Sequence, residues 1–149
     1  MTEQPTRCPE CGAAMRDGLS CREQYEAVLA LEYENPVAFG AVHHLTVPAY
    51  SVQHPSGYTP EAIDWMLKLL EGFLEQGVSP GAMREQNRDS MDSGQRSFKL
   101  TRPPAPPKLV EWPLTINSVY GVGLDIYAGR VRAWAQAALD FARTRRQGR

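Results

Sequence analysis

Three cysteines and three histidines carry the most specific chemistry in this chain, and all six lie within its first 54 residues. Cys8-Pro9-Glu10-Cys11-Gly12 separates two thiols by two residues. That spacing lets both sulfurs face one ion, and the glycine permits the turn that aims backbone amides at them. Cys21 supplies a third thiol at the start of a helix, where the positive end of the dipole favours a thiolate. Zinc prefers four ligands, so the chemistry asks which of His43, His44 and His54 completes the set.

The elements around these residues bear on the choice. Ser20-Cys21-Arg22-Glu23 has the form of a capping box, with Ser20 as N-cap and Glu23 at the third helical position. The helix it opens runs from Cys21 to about Glu34 and ends at Asn35-Pro36. The next run, Val37 to about Gln53, is apolar and helical in period, with Val42, Leu45, Ala49 and Val52 on one stripe. Pro48 inside it predicts a kink or a break. If these two helices form an antiparallel hairpin turning at Asn35-Pro36, Cys21 is level with about Tyr50 and His54 lies one turn beyond, beside the knuckle. His43 and His44 are level with Val28 and Ala27, about 10 Å or more away along the axis. The expected ligands are therefore Cys8, Cys11, Cys21 and His54, a closed Cys3His site for Zn2+, with His43 or His44 as the alternatives to His54.

Competing readings of the thiols fit less well. A redox dithiol at Cys8 and Cys11 usually begins a helix after a strand, and none is read here. A disulfide with one spare cysteine does not suit a cytoplasmic chain. His43 and His44 have two readings of their own. In the first, one ring is buried against a hydroxyl or carboxylate and the other is a bystander. In the second, His43 or His44 forms a polar pocket with Glu26 or Glu32 and Tyr50, able to hold a second metal or supply a general base. Glu32 lies on the stripe of Cys21, Tyr25 and Val28, which turns a carboxylate towards the core. No phosphate loop, nucleophile elbow or His-Glu-x-x-His motif is present, and Gly121-Val122-Gly123 lacks the rest of a dinucleotide fingerprint.

Downstream, Thr59-Pro60-Glu61 opens a third helix with Thr59 as N-cap and Pro60 at the first position. It buries Ile63, Met66, Leu67, Leu70 and Leu74, and Gly77 is its stop. Ser79-Pro80 begins a shorter helix to about Met91. Residues 92–115 contain Pro103, Pro104, Pro106 and Pro107, which force extended backbone, and are read as a strap across the bundle. Thr115 caps a short turn. A last helix, about Leu124 to Arg143, buries Leu124, Tyr127, Val131, Trp134, Ala138 and Phe141. Tyr25, Tyr33, Tyr50, Trp65, Trp112 and Trp134 fall mostly at core spacing. Lys99 to Thr101 and Leu109 to Glu111 are the sole strand candidates. The reading is a mainly α fold, a bundle of four to five helices with an N-terminal zinc knuckle and a Pro-rich strap. It is one domain over residues 1–149, with the knuckle at 1–20, helices at 21–91, the strap at 92–115 and the C-terminal helix within 116–149.

Composition narrows the function classes. The chain has 149 residues, 42% hydrophobic and 22% charged, with a net charge of -1, which is globular and carries no overall polycation for nucleic acid. Its acidic side chains concentrate in residues 1–75, with 11 against 4 basic, and its basic ones in 76–149, with 12 against 6 acidic. Two halves attracting within one fold account for this; an acidic or phosphate partner for Arg143, Arg145, Arg146 and Arg149 is the sharper alternative. An acidic knuckle half disfavours a nucleic-acid role. No apolar run reaches membrane-helix length and the N-terminus lacks a signal-peptide stretch, so a cytoplasmic protein is expected.

The runs Cys8 to Gly12, Gly18-Leu19-Ser20-Cys21, Val42-His43-His44-Leu45-Thr46-Val47 and Ala49-Tyr50-Ser51-Val52-Gln53-His54-Pro55 together resemble a family of small bacterial proteins known only as a domain of unknown function. The stretches from Trp112 to Val119 and at Trp134-Ala135 are similar to it too. The resemblance implies a shared architecture in which Cys8, Cys11, Cys21, His43, His44 and His54 recur, and no activity. Two functions are thus expected as alternatives. One is a binding module with structural zinc and a protein or small-molecule partner. The other is a metal-dependent, hydrolase-like enzyme with an open metal position or a polar pocket at His43, His44 and Glu32. A homodimer through an exposed helical face is compatible with both.

Overall fold

The computed structural model describes residues 6–92 and 99–148. Residues 1–5 of the expected knuckle, 93–98 of the expected strap and Arg149 lie outside the described residues. The described residues form five helices: α1 (Cys21–Glu34), α2 (His43–Val52), α3 (Pro60–Leu74), α4 (Pro80–Asp92) and α5 (Leu124–Gln147). Three 3-10 turns, Gly40–Val42, Pro55–Gly57 and Ile116–Ser118, punctuate them. Among the described residues there is no strand; Thr101 makes one isolated bridge with Tyr58.

The helix starts follow local chemistry. Ser20 accepts the Glu23 amide while Glu23 reaches back to the Ser20 amide, so the capping box forms in full. Thr59 accepts the Ala62 amide, with Pro60 at the first position of α3. Ser79 accepts the Ala82 amide at the start of α4, and Thr115 accepts the Asn117 amide of the last 3-10 turn. Each cap satisfies an amide that the helix itself leaves free.

The second helical run departs from expectation. Residues 36–39 form a turn, and the α-helix begins at His43, after a 3-10 turn. Pro48 neither breaks α2 nor ends it. Because the helix starts one turn earlier, Pro48 removes a single hydrogen bond, to the His44 carbonyl, and burial of its ring among the neighbouring helices offsets that loss. Gly40 lets the chain pass close to α1: a Cβ there would lie 2.9 Å from the Glu32 carbonyl oxygen.

α2 is the central element, packed against α3 and α5, which also pack on each other. Val42, Leu45, Ala49 and Val52 are all buried, as are Tyr127, Val131, Trp134 and Ala138 from α5. Each large apolar side chain taken from water contributes about 1.5–3 kcal/mol. Two aromatic and apolar expectations are corrected. Leu124 is 56% exposed and Tyr33 is 88% exposed. Leu124 opens α5, and Tyr33 follows buried Glu32 about 100° round α1, on the outward face. Phe141 is only partly buried and packs against Trp112.

The charge asymmetry is settled partly within the fold. Arg143 on α5 binds Glu71 of α3 at 2.9 Å and Glu75, the residue that caps α3, at 2.6 Å, and Arg146 pairs with Asp64. Two arginines of the basic half thus clasp the acidic half.

The strap lies where the prolines predict an extended chain, and it has a specific course. Leu100 accepts the Thr59 amide, the Arg102 amide donates to Gly57, and the Ala105 amide donates to Ser56. The Val110 amide then reaches the Glu10 carbonyl in the knuckle. The strap therefore ties the 3-10 turn after α2 to the cysteine knuckle. The two strand candidates fall in this segment and pair with no continuous partner.

Candidate metal centre

The knuckle folds around its own sulfurs. The amides of Glu10 and Cys11 both point at Cys8 Sγ at 3.5 Å, and the Ala13 amide points at Cys11 Sγ at 3.4 Å. Gly12 makes this turn available: its φ is 80°, a region that a side chain rarely tolerates. The knuckle is held in place from three sides. Both oxygens of Glu10 accept from Ser56, through its amide at 2.8 Å and its hydroxyl at 3.1 Å. Buried Gln24 of α1 donates to the Ala14 and Leu19 carbonyls. Asn117 accepts the Ala14 amide at 2.8 Å and donates to Gln24 Oε1 at 2.9 Å.

This scaffold brings Cys8, Cys11, Cys21 and His54 together, with their four ligand atoms all within 4.8 Å of one another. The Cys11 and Cys21 sulfurs are 3.6 Å apart. His54 Nε2 lies 3.4 Å from Cys21 Sγ and 3.7 Å from Cys8 Sγ. A tetrahedron built on zinc–sulfur bonds of about 2.3 Å and a zinc–nitrogen bond of about 2.0 Å has edges of about 3.5–3.8 Å. A disulfide needs about 2.05 Å. The observed separations match the first geometry and not the second. His54 is also set in the required tautomer. Its Nδ1–H donates to the Tyr50 carbonyl at 2.7 Å, which leaves Nε2 facing the sulfurs.

The hairpin explains why His54, and not a histidine nearer the turn, is present. Cys21 meets His54 and Glu32 meets His43, so the hairpin folds about a point between residues 37 and 38. That is two residues beyond Asn35-Pro36, because residues 36–39 are a turn and not helix. Every cross-hairpin partner consequently moves four positions, which brings His54 level with Cys21 instead of one turn past it.

The electrostatics describe a group short of positive charge. Hydrogen bonds from the Cys11 and Cys21 thiols pull the Cys8 thiol far below its usual range, aided by His54 and opposed by burial. Cys11 is driven upward, because Cys21 and Cys8 hold its proton and burial disfavours its thiolate. Burial works to lower the His54 pKa, but hydrogen bonds to Cys21 and Cys8 overturn it and carry the ring up to about 10. Tyr50 is raised by burial and by its hydroxyl contact with Cys21 Sγ at 3.4 Å. The site resists holding several thiolates at once, and a divalent cation removes that resistance.

Tyr50 belongs here and not to the pocket expected at His43. Its ring stacks on His54 at 3.9 Å and on Tyr25 at 3.7 Å, and the Arg22 guanidinium lies 5.8 Å from the Tyr25 ring centre. Glu26 also lies elsewhere, exposed and paired with Arg22. The remaining members of that pocket form a compact network. Buried Glu32 binds His43 Nδ1 at 2.8 Å and accepts from the hydroxyls of Thr46 at 2.6 Å and Tyr127 at 2.5 Å. His43 is exposed, while His44 packs edge-on against Phe73. Tyr127, raised by burial and by Glu32, is a neutral donor.

Several side chains central to this arrangement went unread in the sequence. Gln24 lies three residues after Cys21 on the same helical face, a periodicity that marks it as inward-facing. Gln53 is buried, donates to the Leu114 carbonyl and accepts from Trp134. Asn117 carries no local signal, and the helical stripe that marks Tyr127 as buried says nothing of its partner, since both reach residues about a hundred positions away.

Fold and site define a mainly helical protein with a Cys/His cluster close enough to hold a metal ion. The chain belongs to a family of unknown function, DUF5946, whose model matches residues 6–142. No curated protein and no solved structure matches it.

Proposed function

We propose that Cys8, Cys11, Cys21 and His54 bind one Zn2+ ion in a closed, structural site, and that the protein is a zinc-stapled helical binding module. The observation carrying this reading is the convergence of four donors within 4.8 Å of one another, with three of the separations at 3.4–3.7 Å. Three thiolates and an imidazole favour zinc over hard oxygen-seeking cations. Four protein ligands leave no position for an activated water, which disfavours the alternative of a metal-dependent hydrolase. The thiolate ligands call for a reducing compartment, so the reading includes a cytoplasmic location. The partner, a protein segment or small molecule, has a cleft of about 670 Å³ beside the cluster to enter.

Metal content per chain on reduced protein tests the ligand set. One zinc is expected in wild type and in the His43→Ala/His44→Ala pair, and loss of it in His54→Ala. Metal retained by His54→Ala but lost from the pair overturns the assignment. Cobalt substitution gives a second readout: the intense charge-transfer and visible bands of tetrahedral thiolate coordination are expected.

A further inference from the structure

Four ligands close an ion to water, and the chemistry left to such a site is that of its sulfurs. We infer that Cys8 is an alkyl-acceptor thiolate for small electrophiles that carry their alkyl group on an anionic leaving group, such as a sulfonate or phosphate ester, received in the cleft beside the cluster. The inference rests on the zinc reading above.

The cluster is not equally accessible from all sides. Cys8, Cys21 and His54 line the cleft, and Cys11 does not. Cys8 is half-buried, whereas Cys11 is 1% and Cys21 5% exposed. A reagent in the cleft therefore meets Cys8 first. The two amides that donate to Cys8 Sγ at 3.5 Å fix its orientation and temper its nucleophilicity, so its selection rests on access.

The walls fit the two halves of the reagent. Met15, Leu29 and Pro104 give an apolar lining for the alkyl group. Arg7 and Arg22 supply positive charge for the departing anion. Arg7 pairs with Glu111 and Arg22 with Glu26, each at 3.2 Å and well exposed. Exposed pairs of this kind are weak enough for an incoming anion to share. The acid in the wall, Glu10, already has both oxygens bound by Ser56. In the reaction the Cys8 thiolate pair forms a new sulfur–carbon bond as the carbon–oxygen bond breaks. The leaving oxygen keeps its electron pair and departs as the sulfonate or phosphate anion, with no proton or redox partner required.

The test uses the zinc-loaded full chain with two methyl donors, methyl methanesulfonate, which releases an anion, and trimethylsulfonium, which releases neutral dimethyl sulfide. Intact mass, peptide mapping and metal content are read on the same samples. One methyl group, on Cys8, is expected with methyl methanesulfonate, faster than on a free thiol peptide at the same pH. Arg22→Gln should slow that reaction by about two- to fivefold and leave trimethylsulfonium as fast or faster. Methylation of Cys11 or Cys21 ahead of Cys8, or equal slowing with both donors, overturns the acceptor role while leaving the zinc site standing. A chain that takes up no metal overturns both.

Discussion

The α1–α2 hairpin carries two polar clusters, about 16 Å apart along its axis, and they solve the same problem differently. At one end Cys21 meets His54, with Cys8 and Cys11 brought in by the knuckle. At the other end Glu32 meets His43, with Thr46 and Tyr127 completing the contacts. Glu32 is one anion surrounded by three donors, so protons alone satisfy it. The cysteine cluster instead gathers three potential anions beside one imidazole. One buried carboxylate in a ring of donors reads as structure. Three sulfurs and an imidazole within 4.8 Å of one another are close enough to hold a metal ion.

The largest effect should come from removing the metal. Chelation, or Cys11→Ser, should lower stability by about 3–5 kcal/mol, seen as a drop in Tm of about 10 °C or more. Amide exchange should rise first in residues 6–20 while α3 and α5 stay protected. Unchanged knuckle protection after chelation would remove the distinction between the two clusters.

Proton linkage sharpens the same contrast. Zinc uptake requires thiolates and a neutral His54 ring, and without metal the thiols hold that ring protonated up to about 10. Binding near neutral pH should release about three protons, measurable by calorimetry in buffers of different ionisation heat. Affinity must then fall as pH falls, because acid returns those protons to the ligands. The Glu32 cluster should show no zinc-linked proton release, so the His43→Ala variant should give the same count as wild type.

Glu32→Ala comes next. It leaves the Tyr127 hydroxyl without its acceptor, while Thr46 keeps the Val42 carbonyl, and should cost about 2–4 kcal/mol in denaturant unfolding, with zinc content unchanged. Loss of metal in that variant would show the two ends to be one cooperative unit. Tyr50→Phe is the smaller counterpart at the metal end. It deletes only the hydroxyl on Cys21 Sγ while keeping the ring stack. Zinc affinity in competition with a chelator should fall by about tenfold, with little change in the fold.

Much of this was legible locally. The capping box at Ser20 and Glu23, the Thr59-Pro60 start and the Thr115 turn each involve residues within three positions, where side-chain chemistry is set by the chain itself. The proximity of Cys8, Cys11, Cys21 and His54 follows from thiol spacing and an antiparallel hairpin, even though a turn at Asn35-Pro36 puts the hairpin's midpoint two residues early. That error survived because His54 had a full turn of tolerance, while His43 and His44 had none. With the hairpin folded between residues 37 and 38, Tyr50 is level with Tyr25 and about 10 Å along the axis from Glu32, so it joins the cysteine end.

The helices, their caps, the apolar stripes and the grouping of three cysteines with a histidine are thus written in the chain itself. Tertiary structure alone decided which donors meet and what holds them. The Val110 amide on Glu10, Asn117 on Gln24 and Tyr127 on Glu32 each join residues roughly a hundred positions apart. Short-range periodicity reports which face of a helix turns inward. It does not report which of many inward-facing polar groups lies opposite, since that depends on how the helices and the strap settle together.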